Sequence, residues 1–463
     1  MYIEQLYTGC LAEAAYYIES NGVAAIVDPL RETEPYIALA EARGAKIKYI
    51  FETHFHADFV SGHIDLAAKT GATIVYGPAA KTGYDIIEAT DGQVFELGAL
   101  KIKVLHTPGH TPESSCYLLS DENGKAHSLY SGDTLFIGDV GRPDLAQKTG
   151  EITAEDMAGS LYDSLRSKIM PLPNDIIVYP AHGAGSACGK KMSDERSALL
   201  GDQKRDNYAL GDLTRDEFIK ELTTGIAPPP QYFAKAAAQN KTGYKAFDDV
   251  MKQSVRPMTA NEVEAALMAG NLILDTRNQN DYRDGHIKGS WFIGLNGQFA
   301  PWAGALIENL HQAIVVIADQ GKEGEAVMRL ARVGYDNVVG YLEGGMDTWV
   351  KSGKSAATIP SLTPEAFAEK GVGSAKVMDV RKPSEFSEGH LVEADNVPLD
   401  FFTELIHNID LNQTYAIHCK GGYRSMIAAS ILEALGAKGV IDLMGGFDKI
   451  KLTSAKTIVP TIA

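Results

Sequence analysis

Over the first 240 residues, apolar positions fall in short runs that end in polar turns. Residues 47–52 read as a strand and residues 61–70 as a helix. Asn21-Gly22, set between residues 16–20 and Val23–Val27, is a two-residue hairpin signal. Further strands are expected at Thr73–Tyr76, 100–105 and 176–179, running into polar, histidine-bearing turns. In the C-terminal half, β-branched runs alternate with helical patterns: 313–318 then 324–332, and Thr414–His418 then 425–435. That alternation predicts parallel sheets with helices on their faces.

An internal repeat organises this half. Asp275, Thr276, Arg277, Tyr282, Gly285, His286 and Ile287 recur as Asp379, Val380, Arg381, Phe386, Gly389, His390 and Leu391, about one hundred residues on. Leu342 to Met346 recurs in the same way as Leu443 to Phe447, with its Gly-Gly pair intact. Both units resemble rhodanese domains in the DxRxxxx[FY]xxGH[IL] element and the late Gly-Gly turn. The expected layout is a first domain at 1–240, a linker at 241–257 and α/β units at 258–356 and 357–463. Pro228 to Pro230 and the polar stretch 239–243 mark the exit from the first domain.

Composition narrows the function classes. The 463 residues suggest about three domains, and 45% apolar with 22% charged residues describes a globular chain. With 43 basic against 60 acidic residues the net charge is -17, which argues against nucleic acid or an anionic membrane as partner. No apolar run approaches the ~20 residues that span a bilayer. Cys10, Cys116, Cys188 and Cys419 lack CxxC spacing, which suits a reducing cytoplasm.

The chemistry concentrates in four turns. Thr53, His54, Phe55, His56, Ala57, Asp58, Phe59 follows a predicted strand, and three later turns carry His110, Asp133 and His182. Imidazoles and carboxylates clustered at strand ends point to a metal site. The run resembles the HxHxDH signature of the metallo-β-lactamase superfamily, with Phe59 in the sixth position. The resemblance implies an αββα sandwich. Phenylalanine offers no lone pair, so the second of the family's two metal positions is expected to be empty or far weaker. Persulfide dioxygenases, relatives that hold a single iron, imply His54, His110 and Asp133 as ligands of one Fe(II) per chain. His56, Asp58 and His182 are then candidates to orient ligands or bond to iron-bound species, the alternative being that they are packed into a polar floor.

Ile137 to Asp144 is similar to the segment bordering the substrate entrance in those enzymes. Arg142 is a candidate for a substrate carboxylate, or for an ion pair with Asp144. Cys188, six residues past His182, is a possible additional thiol.

Cys419, Lys420, Gly421, Gly422, Tyr423, Arg424 and Ser425 link a predicted strand to a helix. Converging N–H groups, the helix N-terminus, Lys420 and Arg424 all favour a thiolate at Cys419 and an anionic substrate in this loop. Four residues separate Cys419 from Arg424, the spacing of rhodaneses, where related phosphatase-like domains have five. The loop therefore looks built for sulfane sulfur, passed by covalent catalysis. The equivalent turn of the first unit, Ala318 to Glu325, is shorter and acidic and has no cysteine. That unit is expected to be an inactive rhodanese-like domain with a structural or oligomeric role, in a homo-oligomer.

The whole chain resembles persulfide dioxygenase and sulfurtransferase fusions. The expected partners are a small-thiol persulfide, O2 and sulfite or thiosulfate, and the expected outcome is sulfide detoxification. A zinc-dependent thioesterase similar to glyoxalase II, fused to rhodanese units, is the first alternative. A persulfide carrier or sensor with a vestigial metal domain is the second.

Overall fold

The computed structural model describes residues 1–146, 151–226 and 228–458. The chain forms two compact units, one comprising Met1–Phe247 with Ala331–Gly334, the other Asp248–Leu330 with the chain from Tyr335 onward.

In the first unit, Asn21 and Gly22 both take positive φ (53° and 72°), as a tight hairpin with right-twisted strands requires. Glu13–Ser20 and Val23–Val27 pair antiparallel across that turn, Ser20 opposite Val23. They belong to a six-stranded sheet that continues through Lys46–Glu52 and Thr73–Tyr76. A second six-stranded sheet contains Leu100–His106, Ser115–Ser120, Ala126–Gly132 and Ile177–Pro180. Side chains alternate across each strand. Tyr16 and Ile18 join Ile102, Tyr117 and Tyr130 in the core between the sheets, while Ala15 and Tyr17 face the other way, toward Tyr36 and Leu66. Ala158, Leu161 and Phe218 cover the outer face of the second sheet. The result is the expected αββα sandwich, and its metal-motif turns lie at the ends of Lys46–Glu52, Leu100–His106, Ala126–Gly132 and Ile177–Pro180.

The second unit contains two parallel five-stranded sheets with the same strand order. One runs Pro257–Met258, Val338–Leu342, Ile314–Ile317, Leu272–Asp275, Trp291–Phe292; the other runs Ser361–Leu362, Gly439–Leu443, Thr414–His418, Lys376–Asp379, Ala394–Asn396. Ile314–Ile317 is buried along its whole length, as a central parallel strand is. The repeated motif is structural in both copies. Arg277 clasps Asp275 and donates to the Gly285 carbonyl, and Arg381 does the same with Asp379 and Gly389. Residues 241–257, expected as linker, contain the helix Phe247–Ser254.

Asp442, on the strand Gly439–Leu443, is 5% exposed, and burial pushes its carboxyl up to about 6, opposed by Arg283. A carboxyl raised in the folded state costs nothing below the unfolded value of about 4. The penalty grows as pH rises through the folded value, reaching about 3 kcal/mol at ~1.36 kcal/mol per unit. Asp442→Asn should therefore raise the melting temperature of this unit at pH 8 and leave it near wild type at pH 4. Calorimetry showing a gap that does not open with pH would contradict this.

Candidate metal centre and cysteine loop

The structure brings His54, His110 and Asp133 together. Their ligand atoms lie within 4.8 Å of one another, all buried. Asp133 Oδ2 is 3.4 Å from Nε2 of His110 and 3.9 Å from Nε2 of His54. None of these three atoms has a hydrogen-bond partner. Three orphaned donors converging in a dry site fit a cation, since unpaired buried polar atoms are otherwise costly.

Surrounding groups fix which nitrogen faces the site. Nδ1 of His110 lies 2.8 Å from the Arg142 carbonyl, which can only accept, so Nδ1 carries the proton and Nε2 keeps its lone pair. Nδ1 of His54 lies 2.9 Å from Oγ1 of Thr53, whose hydroxyl donates to Asp28 at 2.8 Å. Burial, and then neighbouring His56, hold the His54 pKa well below its ordinary value, so the imidazole is neutral. Burial alone would raise Asp133, but His182, His54 and His110 outweigh it and hold the carboxyl far below the usual range.

Two glycines permit the close approach. A Cβ on Gly132, at φ 53°, would lie 2.6 Å from Thr53, and one on Gly141 would lie 2.1 Å from the Asp133 carbonyl and 2.9 Å from Nδ1 of His110.

His56 points elsewhere, its Nε2 3.1 Å from Asp28 and 3.6 Å from Glu52. Phe59 is fully buried against the His56 ring, centroids 4.3 Å apart. His182 bridges Asp133 and Asp58, at 2.8 Å from each. Burial disfavours its charged form, yet those two carboxylates raise its pKa well above the ordinary value. Arg142 holds Asp144 through two hydrogen bonds (2.6 and 2.7 Å) and donates to the Ala187 carbonyl. Burial and the charges of Asp58 and Asp133 push the Cys188 thiol up, which does not favour a free nucleophilic thiolate. Asn240 was not singled out by sequence; its amide donates to the carbonyls of His56 and Phe59 and holds the motif loop closed. A cavity of about 400 Å³ adjoins the motif, lined by Phe55, Ala57, Pro112, Glu113, Phe233 and Lys241.

In the second unit, Cys419 follows the strand Thr414–His418 and the helix Tyr423–Ala434 opens just past it. The Gly422 N–H donates to Sγ at 3.1 Å, while Lys420 and Gly421 are exposed. Arg424 is clamped by Glu385 at 2.6 and 2.9 Å, and Ser425 donates back to the Gly422 carbonyl. Tyr423 donates to the Gly294 carbonyl of the preceding repeat at 2.6 Å, and Ser430 accepts from Phe292. The late Gly-Gly turn holds the loop from below: N–H groups of Phe447 and Asp448 donate to the carbonyls of Cys419 and Lys420. Gly446 sits at φ 59°, and a Cβ there would lie 2.4 Å from the Cys419 carbonyl oxygen. If this loop transfers sulfane sulfur as its sequence suggests, Gly446→Ala should lower transfer from thiosulfate to cyanide by about 10²-fold, the cost of a displacement near 1 Å in a reacting group. Wild-type turnover would show that the turn does not position the loop.

Comparison with known proteins agrees with this geometry. Residues 8–182 match the metallo-beta-lactamase superfamily, and residues 259–352 and 364–453 each match the rhodanese-like domain. The mitochondrial persulfide dioxygenase ETHE1 of Homo sapiens is 30% identical over 220 residues, covering 47% of this chain and 78% of that protein. A cytoplasmic hydroxyacylglutathione hydrolase of Arabidopsis thaliana is 35% identical over 178 residues, covering 37% of this chain and 65% of its own length. The crystal structure of a metallo-beta-lactamase from Staphylococcus aureus subsp. aureus COL superposes with a TM-score of 0.67 at 34% identity, covering 73% of this chain and 98% of that one. The chain belongs to the metallo-β-lactamase superfamily, and joins that domain to two tandem rhodanese-like domains.

Proposed function

We propose that the N-terminal domain is a non-haem Fe(II) persulfide dioxygenase and that the last domain is a sulfurtransferase working through Cys419. The observation that carries this reading is the set of two imidazoles and one carboxylate at His54, His110 and Asp133, with His56 turned away and Phe59 in place of a further ligand. Two histidines and a carboxylate are the donor set of non-haem Fe(II) oxygenases, and iron bound there would supply the redox chemistry between O2 and a terminal sulfur. The chain's own groups do the rest. Thr53 and the Arg142 carbonyl fix the two imidazoles, and the adjoining cavity is of a size for a small thiol. Lys241 at that cavity offers a cation to a substrate carboxylate. One persulfide, one O2 and one water give one thiol, one sulfite and two protons.

At the last domain, the Cys419 thiolate attacks the sulfane sulfur of thiosulfate, forming a cysteine persulfide and releasing sulfite, or the reverse exchange runs. Placing both activities on one chain raises the local concentration of the shared sulfur species, which suits sulfide detoxification.

A zinc-dependent thioesterase is the second reading, favoured by the similarity to hydroxyacylglutathione hydrolases. Phe59 weighs against it, because it removes a donor that a binuclear hydrolytic site would use. The deciding experiment is O2 uptake with glutathione persulfide, beside hydrolysis of S-lactoylglutathione, by full-length protein purified without air and assayed for metal. Iron-dependent O2 uptake without hydrolysis is expected. Hydrolysis without O2 uptake would replace the dioxygenase with the thioesterase, and sulfur exchange alone would leave a carrier.

A further inference from the structure

The Cys419 loop carries two cations, Lys420 and Arg424, and the structure treats them differently. Lys420 is exposed. Arg424 is largely buried, and both of its terminal nitrogens go to one carboxylate: Nη1 donates to Oε2 of Glu385 at 2.6 Å and Nη2 to Oε1 at 2.9 Å. That two-pronged fit is the strong form of a guanidinium–carboxylate pair, and it commits the charge as well as the hydrogens. Glu385 is itself held from behind, because its Oε2 also accepts from the Lys382 N–H at the start of the helix Pro383–Glu388, 3.1 Å away. Burial disfavours the charge on Arg424, but Glu385, Cys419 and Asp400, the last exposed on the turn Leu399–Phe401, together hold its pKa above the ordinary value. The Arg424 charge that sequence spacing offered to an anionic substrate is thus already neutralised from within the domain.

We propose that Glu385 is a specificity-determining residue of this loop: by cancelling the Arg424 charge it turns the loop away from doubly charged oxyanions, thiosulfate among them, and toward the terminal sulfur of a hydropersulfide as donor. This rests on the reading of Cys419 as a sulfurtransferase. A hydropersulfide needs no oxyanion cradle. The Cys419 thiolate attacks its terminal sulfur, one S–S bond forms as another breaks, the proton stays on the transferred sulfur and the carrier leaves as a thiolate. For this the loop offers the backbone N–H already aimed at the sulfur, that of Gly422 at 3.1 Å. Thiosulfate brings two negative charges to the same place, and with Arg424 committed to Glu385, Lys420 and the helix N-terminus are what the loop has to meet them. A purely structural Glu385 would serve only the helix start, as its third residue, a task that glutamine performs equally well.

Glu385→Gln separates the two roles, since it keeps the cap and removes the charge. In full-length protein, alkylation of Cys419 by iodoacetamide, followed on its peptide by mass spectrometry, reads anion binding without turnover. Sulfate should protect Cys419 in the glutamine variant at about tenfold lower concentration than in wild type, the order of one released charge near a protein surface. A misfolded variant would lose affinity, not gain it. In turnover, KM for thiosulfate should fall by a similar factor while kcat/KM with glutathione persulfide holds at the wild-type value. Protection at the same or a higher sulfate concentration overturns the proposal, as does a parallel change with both donors. Failure of the underlying reading looks different: wild-type protein that passes sulfur from neither donor retires the sulfurtransferase, while the shift in sulfate protection still decides whether Glu385 governs the charge of the loop.

Discussion

Asp133→Ala should abolish iron retention and O2 uptake with glutathione persulfide while sulfur exchange at Cys419 continues at the wild-type rate. Asp133 is the anion of the three-ligand set, and it also holds His182 at 2.8 Å. Losing an outer-shell partner alone costs 10–100-fold in metal affinity or activity, so removal of a direct ligand should exceed about 10²-fold. Metal analysis and an oxygen electrode on the same preparation give the answer. Wild-type O2 uptake by the alanine variant would show that the reaction does not use this site.

Cys419→Ser should have the complementary effect. Sulfur transfer from thiosulfate should fall by at least about 10³-fold, as nucleophile deletions do elsewhere, because the persulfide has no other sulfur to form on in this loop. O2 uptake should stay at the wild-type rate. In the coupled reaction sulfite should then accumulate in place of thiosulfate, which ion chromatography resolves. Thiosulfate formed at the wild-type rate would remove the coupling.

Whereas His54, His110 and Asp133 come from three separate turns and were grouped only through the resemblance to persulfide dioxygenases, the cysteine loop was readable because Cys419 to Ser425 spans a single strand-to-helix junction. The Asn21-Gly22 hairpin was legible for the same reason, since a two-residue turn is a backbone requirement. What spacing could not reveal is long-range support. Asp28 acts on His54 only through Thr53, and the Arg142 carbonyl acts on His110, so the part of Arg142 that touches the metal ligands is one that every residue possesses. Polarity is a poor guide to burial near the end of the first domain. Residues 239–243 are polar and read as an exit, yet Asn240 is fully buried, because the carbonyls of His56 and Phe59 and the Ser61 N–H satisfy its amide. A satisfied polar side chain is as much core as a leucine, and sequence polarity does not tell the two apart.

The helix Tyr423–Ala434 is buried at every position from Ser425 to Leu432, and part of that cover comes from the cysteine-less repeat, through Phe292 on Ser430 and Gly294 on Tyr423. The boundary between the two repeats is therefore not a boundary at which the polypeptide can be cut. A fragment carrying only the last hundred or so residues would lay bare one flank of the helix that follows Cys419 and let go of the tyrosine in its loop. The cysteine-less repeat thus forms a wall beside the Cys419 loop of the other, a role it can fill without a cysteine of its own.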